Sequence, residues 1–187
     1  LYSLTSDTKV VATNLDKDVT IYWITQEGQE STVLDKLLDR YQDLSDHITV
    51  VKKDPDIYPT FAQQYTDETV VNNSLVVECG DKNRYISYND IYQVDTASYY
   101  TTGSVSQSFD GEGQITSAID YVVSDELPKI YLLSGHGEGA LPDTFTNELT
   151  RSNYETVEDF SLLNVDEIPE DAAALMIHAP ASDISGE

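Results

Sequence analysis

Two histidines and a glutamate follow apolar runs late in the sequence, and they are the side chains best placed for chemistry. His136 and Glu138 lie in the glycine-rich segment SGHGEG at 134–139, and His178 closes a second apolar run. If both runs are parallel strands, the loops that follow them meet at the carboxyl edge of one sheet. A histidine beside a carboxylate can act there as a general base, and three such side chains can bind a metal ion.

The segment SGHGEG matches none of the three glycine-containing catalytic or phosphate-binding motifs with which it can be compared. It lacks the Gly-Lys-Ser/Thr ending of a phosphate loop, the spacing of GxGxxG and the serine of a Gly-x-Ser-x-Gly elbow. Its glycines also suit a tight turn with positive φ, which needs no ligand at all. We therefore predict no catalytic residue, no metal and no cofactor. The residues predicted to contact a ligand or partner are Ser134, Gly135, His136, Gly137, Glu138 and His178.

Composition excludes several classes of partner. The 187 residues include 34 acidic and 10 basic side chains, for a net charge of -24, which opposes binding to nucleic acid or to an anionic lipid surface. The sequence has no apolar run of 18 residues and begins at Leu1, so we expect a soluble piece of a longer protein. A single cysteine, Cys79, excludes an internal disulfide and a cysteine-based zinc site.

Residues 1–126 are predicted to form a first domain with a thioredoxin-like order, β-α-β-α-β-β-α. Its predicted strands lie at 18–25, 47–54, 74–79 and 84–88, and its predicted helices lie near Ser6, from Ser31 or Thr32 to Leu44, at 58–65 and at 111–127. The segment TQEGQES, which joins the first strand to the next helix, has no cysteine, so disulfide exchange at this position is excluded.

Residues 127–187 are predicted to begin a second α/β domain. Strands at 129–134, 156–163 and 174–180 and a helix at 143–152 indicate the start of a doubly wound parallel sheet. Because three strands and one helix cannot cover both faces of such a sheet, we expect this domain to be truncated.

Tyrosines are concentrated around a polar stretch at 95–107, which we predict to be a surface excursion or linker. If exposed, these tyrosines would suit a protein interface, and otherwise they fill strand faces. They are Tyr85, Tyr88, Tyr92, Tyr99 and Tyr100.

The sequence as a whole resembles the extracytoplasmic region of the GldG-like family, auxiliary components of ABC-type transport systems. The resemblance covers roughly residues 1–180 and carries no short catalytic signature. The segments that carry it are DVTIYWIT, LDKLLDRYQDLSDHITVVKKDPDIYP, NNSLVVECGDKNRYISYNDIY and GEGQITSAIDYVVSDELPKIYLLSGHGE.

The resemblance implies a thioredoxin-like half followed by a half similar to class I glutamine amidotransferases. It further implies a bacterial protein at the extracytoplasmic side of the cell membrane, held there by helices outside this chain and accompanied by a permease and an ATPase. The second half departs from the amidotransferase pattern, because no cysteine stands at its nucleophile elbow.

We therefore expect a non-enzymatic domain that binds a substrate or partner protein outside the cell. Two alternatives remain open from the residues alone. One is a metal-assisted hydrolase that uses His136, Glu138 and His178, and the other is a ligand-free dimerisation or spacer module.

Overall fold

Strands and helices are interleaved along the chain in a computed structural model that describes residues 3–95, 103–165 and 167–183. The fold is mixed α/β, with a mixed four-stranded sheet, a two-stranded ribbon and a three-stranded parallel sheet. The chain divides into two compact units, Leu1–Val123 and Ser124–Glu187. The boundary between them lies three residues before the predicted one. Within the described ranges, no helix has both the length and the apolar character that crossing a membrane requires.

The first unit contains the mixed sheet, in the order β2-β1-β3-β4. Strand β2 runs parallel to β1, whereas β3 runs antiparallel to both β1 and β4, which agrees with a β-α-β unit followed by a hairpin. Strands β5 and β6 pair as an antiparallel ribbon. The elements are α1 Ser6–Thr13, β1 Val19–Ile24, α2 Thr32–Leu44, β2 Ile48–Lys53, β3 Ser74–Cys79, β4 Lys82–Ile86, α3 Tyr88–Ile91, β5 Tyr92–Asp95, β6 Ser106–Phe109 and α4 Gly111–Val123.

The core of this unit forms where two amphipathic helices cover the sheet. Helix α2 begins after Ser31, whose side chain accepts a hydrogen bond from Leu34 N, and its buried positions recur at helical spacing. Helix α4 buries a similar apolar stripe. The large buried side chains from strands and helices include Ile21, Trp23, Leu34, Leu38, Tyr41, Leu75, Ile91, Ile115 and Ile119.

The helix predicted at 58–65 is wrong, since this segment is a series of turns with one 3-10 turn at Ala62–Gln64. The carbonyl of Asp54 accepts hydrogen bonds from Ile57 N at 3.1 Å and Tyr58 N at 2.8 Å, which closes a turn. Pro59 then disfavours the α conformation at the residue before it. The segment folds over the sheet instead, where Phe61 packs edge-on against Tyr22 with ring centroids 4.9 Å apart.

The polar stretch predicted as an excursion ends in β6, which pairs with β5. Tyr85, Tyr88 and Tyr92 are half-buried, and the last two stack with ring centroids 4.6 Å apart, so a role in an interface stays a prediction. Tyr99 and Tyr100 lie outside the described residues.

The second unit is a parallel sheet in the order β8-β7-β9. Its elements are β7 Lys129–Leu133, α5 Asp143–Arg151, β8 Glu155–Phe160 and β9 Ala172–Met176. The last two strands are shorter than predicted; β8 gives way to a 3-10 turn, and the chain leaves β9 before a left-handed Ala179 and Pro180. Tyr131, Leu133 and Phe160 form its buried cluster.

Helix α5 buries none of its residues. Phe145 on the helix and Tyr154 after it are 43% and 38% exposed. The buried cluster of this unit and the side chains packed against it come from the three strands and the turn after β8, and not from α5.

Candidate functional site

The glycine-rich loop lies at the carboxyl edge of the parallel sheet, between the ends of β7 and β9. Because β7 is the central strand, the loop that follows it at 134–142 neighbours the segment after β9 at 177–183. Two contacts join them: Gly139 N donates to the His178 carbonyl at 3.0 Å, and His178 Nδ1 lies 2.9 Å from the Gly139 carbonyl. The structure therefore brings together the two predicted parts of the site.

Further hydrogen bonds fix the loop at its middle and at its start. The carbonyl of His136 accepts from Ala181 N at 2.9 Å, Ser182 N at 3.0 Å and Ser182 Oγ at 3.2 Å. On the opposite side, Ser134 N donates to the carbonyl of Phe160, the last residue of β8, at 2.7 Å. The loop is thus attached to the ends of both neighbouring strands and forms a fixed wall.

His136 and Glu138 satisfy each other inside this loop. Glu138 Oε2 accepts from His136 N at 2.8 Å, and Glu138 Oε1 lies 3.1 Å from His136 Nδ1, with both side chains more than nine-tenths buried. Burial alone raises the pKa of Glu138, but hydrogen bonds from the backbone N–H groups of Glu138 and His136 and from the His136 ring outweigh it, so the pKa is lowered. The pair holds the loop in shape.

Gly137 is required by this geometry. Its φ of +74° belongs to the left-handed region, and an added Cβ would lie 3.0 Å from the Ala181 Cβ. A side chain here would therefore displace the segment after β9.

A cavity of about 620 Å³ opens beside the loop within the second unit. Five of the six predicted site residues line it: Ser134, Gly135, Gly137, Glu138 and His178. His136 is buried and is not among the lining residues, and its contact with a ligand stays a prediction.

Sequence reasoning missed the part of the wall contributed by β8, α5 and β9. Thr156 and Glu158 line the cavity from alternate positions of β8. Side chains two residues apart on a strand share one face, so the sequence would predict both once it is known which face of β8 lies at the cavity. Asp159 follows with a φ of +56°, an uncommon conformation for a non-glycine residue. The missed lining side chains include Asp143, Thr146, Thr156, Glu158, Asp159 and Met176.

The cavity is acidic. Its lining residues include Glu138, Asp143, Glu158 and Asp159, and no lysine or arginine. Although a glycine loop before a helix suits phosphate in other folds, these carboxylates oppose an anion here. Across the described residues, no three His, Cys, Asp or Glu side chains are grouped so that they could hold a metal ion.

Comparison with known proteins covers only the first part of the chain. A family described as a domain of unknown function (DUF7088) matches residues 1–93, just under half of the 187 residues. No curated protein and no solved structure matches the chain. The glycine loop and its cavity lie outside the matched residues.

Proposed function

We propose that this chain is the extracytoplasmic domain of a membrane-anchored auxiliary protein of an ABC-type transport system, and that it binds a substrate or partner without turning it over. The bacterial setting, the permease and the ATPase follow from the resemblance to the GldG-like family. In this proposal, the thioredoxin-like unit is a scaffold and the second, amidotransferase-like unit presents the contact surface.

One observation carries the choice of binding over catalysis. The only described histidine and carboxylate that pair at the sheet edge, His136 and Glu138, are buried and use each other as partners. The cavity beside them is lined by acidic, hydroxyl-bearing and apolar residues, with no cysteine among them. His178 also lines it, with its Nδ1 2.9 Å from the Gly139 carbonyl. A general base must reach the proton that it abstracts, and this pair is directed into its own loop.

The charge of the cavity defines what it accepts. A neutral ligand rich in hydroxyl groups, or a protein segment with basic side chains, is compatible with Glu158 and Asp159 at the wall, whereas an anionic ligand is repelled. We therefore place the contact surface at the carboxyl edge of β7, β8 and β9.

The proposal is tested by charge reversal in the full-length parent protein. Glu158→Lys places a cation in the cavity wall, and Glu167→Lys makes the same charge change at an exposed residue outside the lining. Both variants are purified from native membranes and their copurifying proteins are quantified by mass spectrometry. We expect Glu158→Lys to lose at least one copurifying protein several-fold while Glu167→Lys retains it; equal recovery in the two variants would remove the cavity from the proposal.

A further inference from the structure

The first unit contains a second cavity, of about 540 Å³, to which no role has been assigned above. It opens where β1 and β2 end, between Ile24, Lys53 and the turn segment that replaces the predicted helix. Half of its lining residues are apolar. The apolar residues are Ile24, Pro55, Tyr58, Pro59, Phe61, Ala62, Val70 and Val71.

Large, partly exposed apolar side chains lie at or next to this cavity. Tyr58 and Val71 line it and are 49% and 48% exposed. Ile57, next to Tyr58 in the chain, is 68% exposed. Adjacent exposed apolar side chains of this kind mark sites of protein contact, and tyrosine is enriched in such contacts.

The aromatic side of the wall is held in place by a cation and by ring packing. Lys53 Nζ lies 4.6 Å from the Tyr58 ring centroid, 5.0 Å from that of Phe61 and 5.7 Å from that of Tyr22. Phe61 also packs on Tyr65, whose hydroxyl donates to Glu78 Oε2 at 2.7 Å. A wall that is ordered before binding costs less conformational entropy when a partner arrives.

The rim of the cavity is acidic. Asp56 and Glu68 line it, and both are exposed. The Lys53 ammonium is directed at the aromatic rings, so the carboxylates are the charges that an arriving partner meets first. The chain as a whole carries a net charge of -24. These charges favour a partner segment with cations beside its apolar contact.

We propose that this cavity is a docking site for an extended segment of a partner protein, in which one large apolar side chain is flanked by lysine or arginine. The apolar side chain enters between Phe61 and Val71, and its basic neighbours face Asp56 and Glu68. The site belongs to the first unit, so it does not depend on the function proposed for the second.

The test uses this chain and an array of octapeptides with Leu, Phe, Trp or Gly at the centre and Lys, Ser or Glu on both flanks. Three forms of the chain are applied: unmodified, Val71→Asp, and Val33→Asp as the matched control. Val33 is 54% exposed on α2 and is not among the lining residues, so the control makes the same change at similar exposure. Retained peptides are then titrated in solution by fluorescence anisotropy.

We expect retention to be greatest for peptides with an apolar centre and lysine flanks, and Val71→Asp to weaken their binding about tenfold while Val33→Asp leaves it unchanged. Retention that follows lysine content regardless of the central residue would show non-specific attraction and overturn the proposal. So would equal binding by the two variants. Sedimentation that shows a dimer lost only in Val71→Asp would identify a second copy as the occupant and also overturn it.

Discussion

Glu138 uses both of its carboxylate oxygens on one residue, accepting from His136 N at 2.8 Å and lying 3.1 Å from His136 Nδ1. Both oxygens of this carboxylate are therefore engaged inside the loop. The consequence that can be measured directly is the stability of the second unit.

The Glu138 carboxylate is predicted to stabilise the second unit in a pH-dependent manner. Its folded pKa lies below the ordinary value of 4.5, so its contribution is present above that value and is lost as pH falls through the lowered pKa. Urea titrations followed by amide NMR signals of β7 should show that Glu138→Gln unfolds more easily at pH 7, and that the difference from the unmodified chain shrinks below about pH 4.5.

Glu167→Gln, at an exposed position, is the control for this experiment. Other carboxyls whose pKa is lowered, such as Asp171 beside Lys129, are present in every variant and cancel in the difference. A difference between Glu138→Gln and the unmodified chain that stays constant from pH 7 to pH 3.5 would contradict the role assigned to the ionised Glu138 carboxylate.

Two glycines of the same loop are predicted to respond differently to the same substitution. Gly137→Ala places a Cβ 3.0 Å from that of Ala181 at a φ of +74°, and should cost about 1 to 3 kcal/mol of unfolding free energy. Gly139→Ala meets His178 at an ordinary 3.5 Å and has no positive φ, so it serves as the matched control and should change stability little. Both variants are measured by urea unfolding. Equal stability would show that neither the positive φ of Gly137 nor the close contact of an added Cβ with Ala181 limits the residue at this position.

Asn73 is predicted to be the most sensitive polar residue of the first unit. Its Oδ1 accepts from Trp23 Nε1 at 3.2 Å and from Ser31 N at 2.9 Å, and its Nδ2 donates to the Gln29 carbonyl at 2.9 Å. It is 8% exposed and has a φ of +69°. Asn73→Ala should therefore lower the unfolding free energy by about 3 kcal/mol, because buried groups lose their partners and alanine is disfavoured at this φ.

Fluorescence of Trp23, the single tryptophan, provides the measurement for Asn73. Asn73→Asp keeps the acceptor and loses the donor, so it should fall between the alanine variant and the unmodified chain. Asn89→Ala, at an exposed position of α3, is the control and should be nearly neutral. An alanine variant at position 73 as stable as this control would disprove the assignment.

Glu112 is predicted to anchor α1 to the rest of the first unit. One of its oxygens accepts from Thr5 N at 2.7 Å, Thr5 Oγ1 at 2.9 Å and Thr8 Oγ1 at 2.7 Å, and the side chain is buried. Glu112→Ala should cost about 2 kcal/mol and speed hydrogen exchange of the α1 amides. Glu68→Ala, at an exposed position, is the control. If the α1 amides exchange at the same rate in Glu112→Ala as in this control, the helix is held by other contacts.

Much of the fold follows from hydrophobic pattern alone. Helix α2 was predictable because its buried positions recur at helical spacing after a serine cap, and β1 because it is an unbroken run of β-branched and aromatic residues. The conformation of segment 58–65 was not predictable in this way. Its apolar spacing favours a helix, but the turn closed by the Asp54 carbonyl and the presence of Pro59 disfavour a helical backbone. Tertiary contacts between Tyr22 and Phe61 then fix the result.

The site was predictable only in part, for a similar reason. The loop and His178 were found because glycines and histidines at strand ends are visible in sequence, and the parallel order brings them together. Burial of His136 was not visible, since it depends on Glu138 folding back and on Ala181 and Ser182 reaching its carbonyl. Glu158 on β8 required knowledge of which way that strand faces.

The most direct measurement is the composition of complexes that the unmodified full-length parent forms in its native membrane. The parent is purified from detergent-solubilised membranes, and copurifying proteins are quantified by mass spectrometry. We predict an ABC-type permease and an ATPase in amounts comparable to the parent. Recovery of the parent without either protein, from membranes that contain both, would contradict a role in transport.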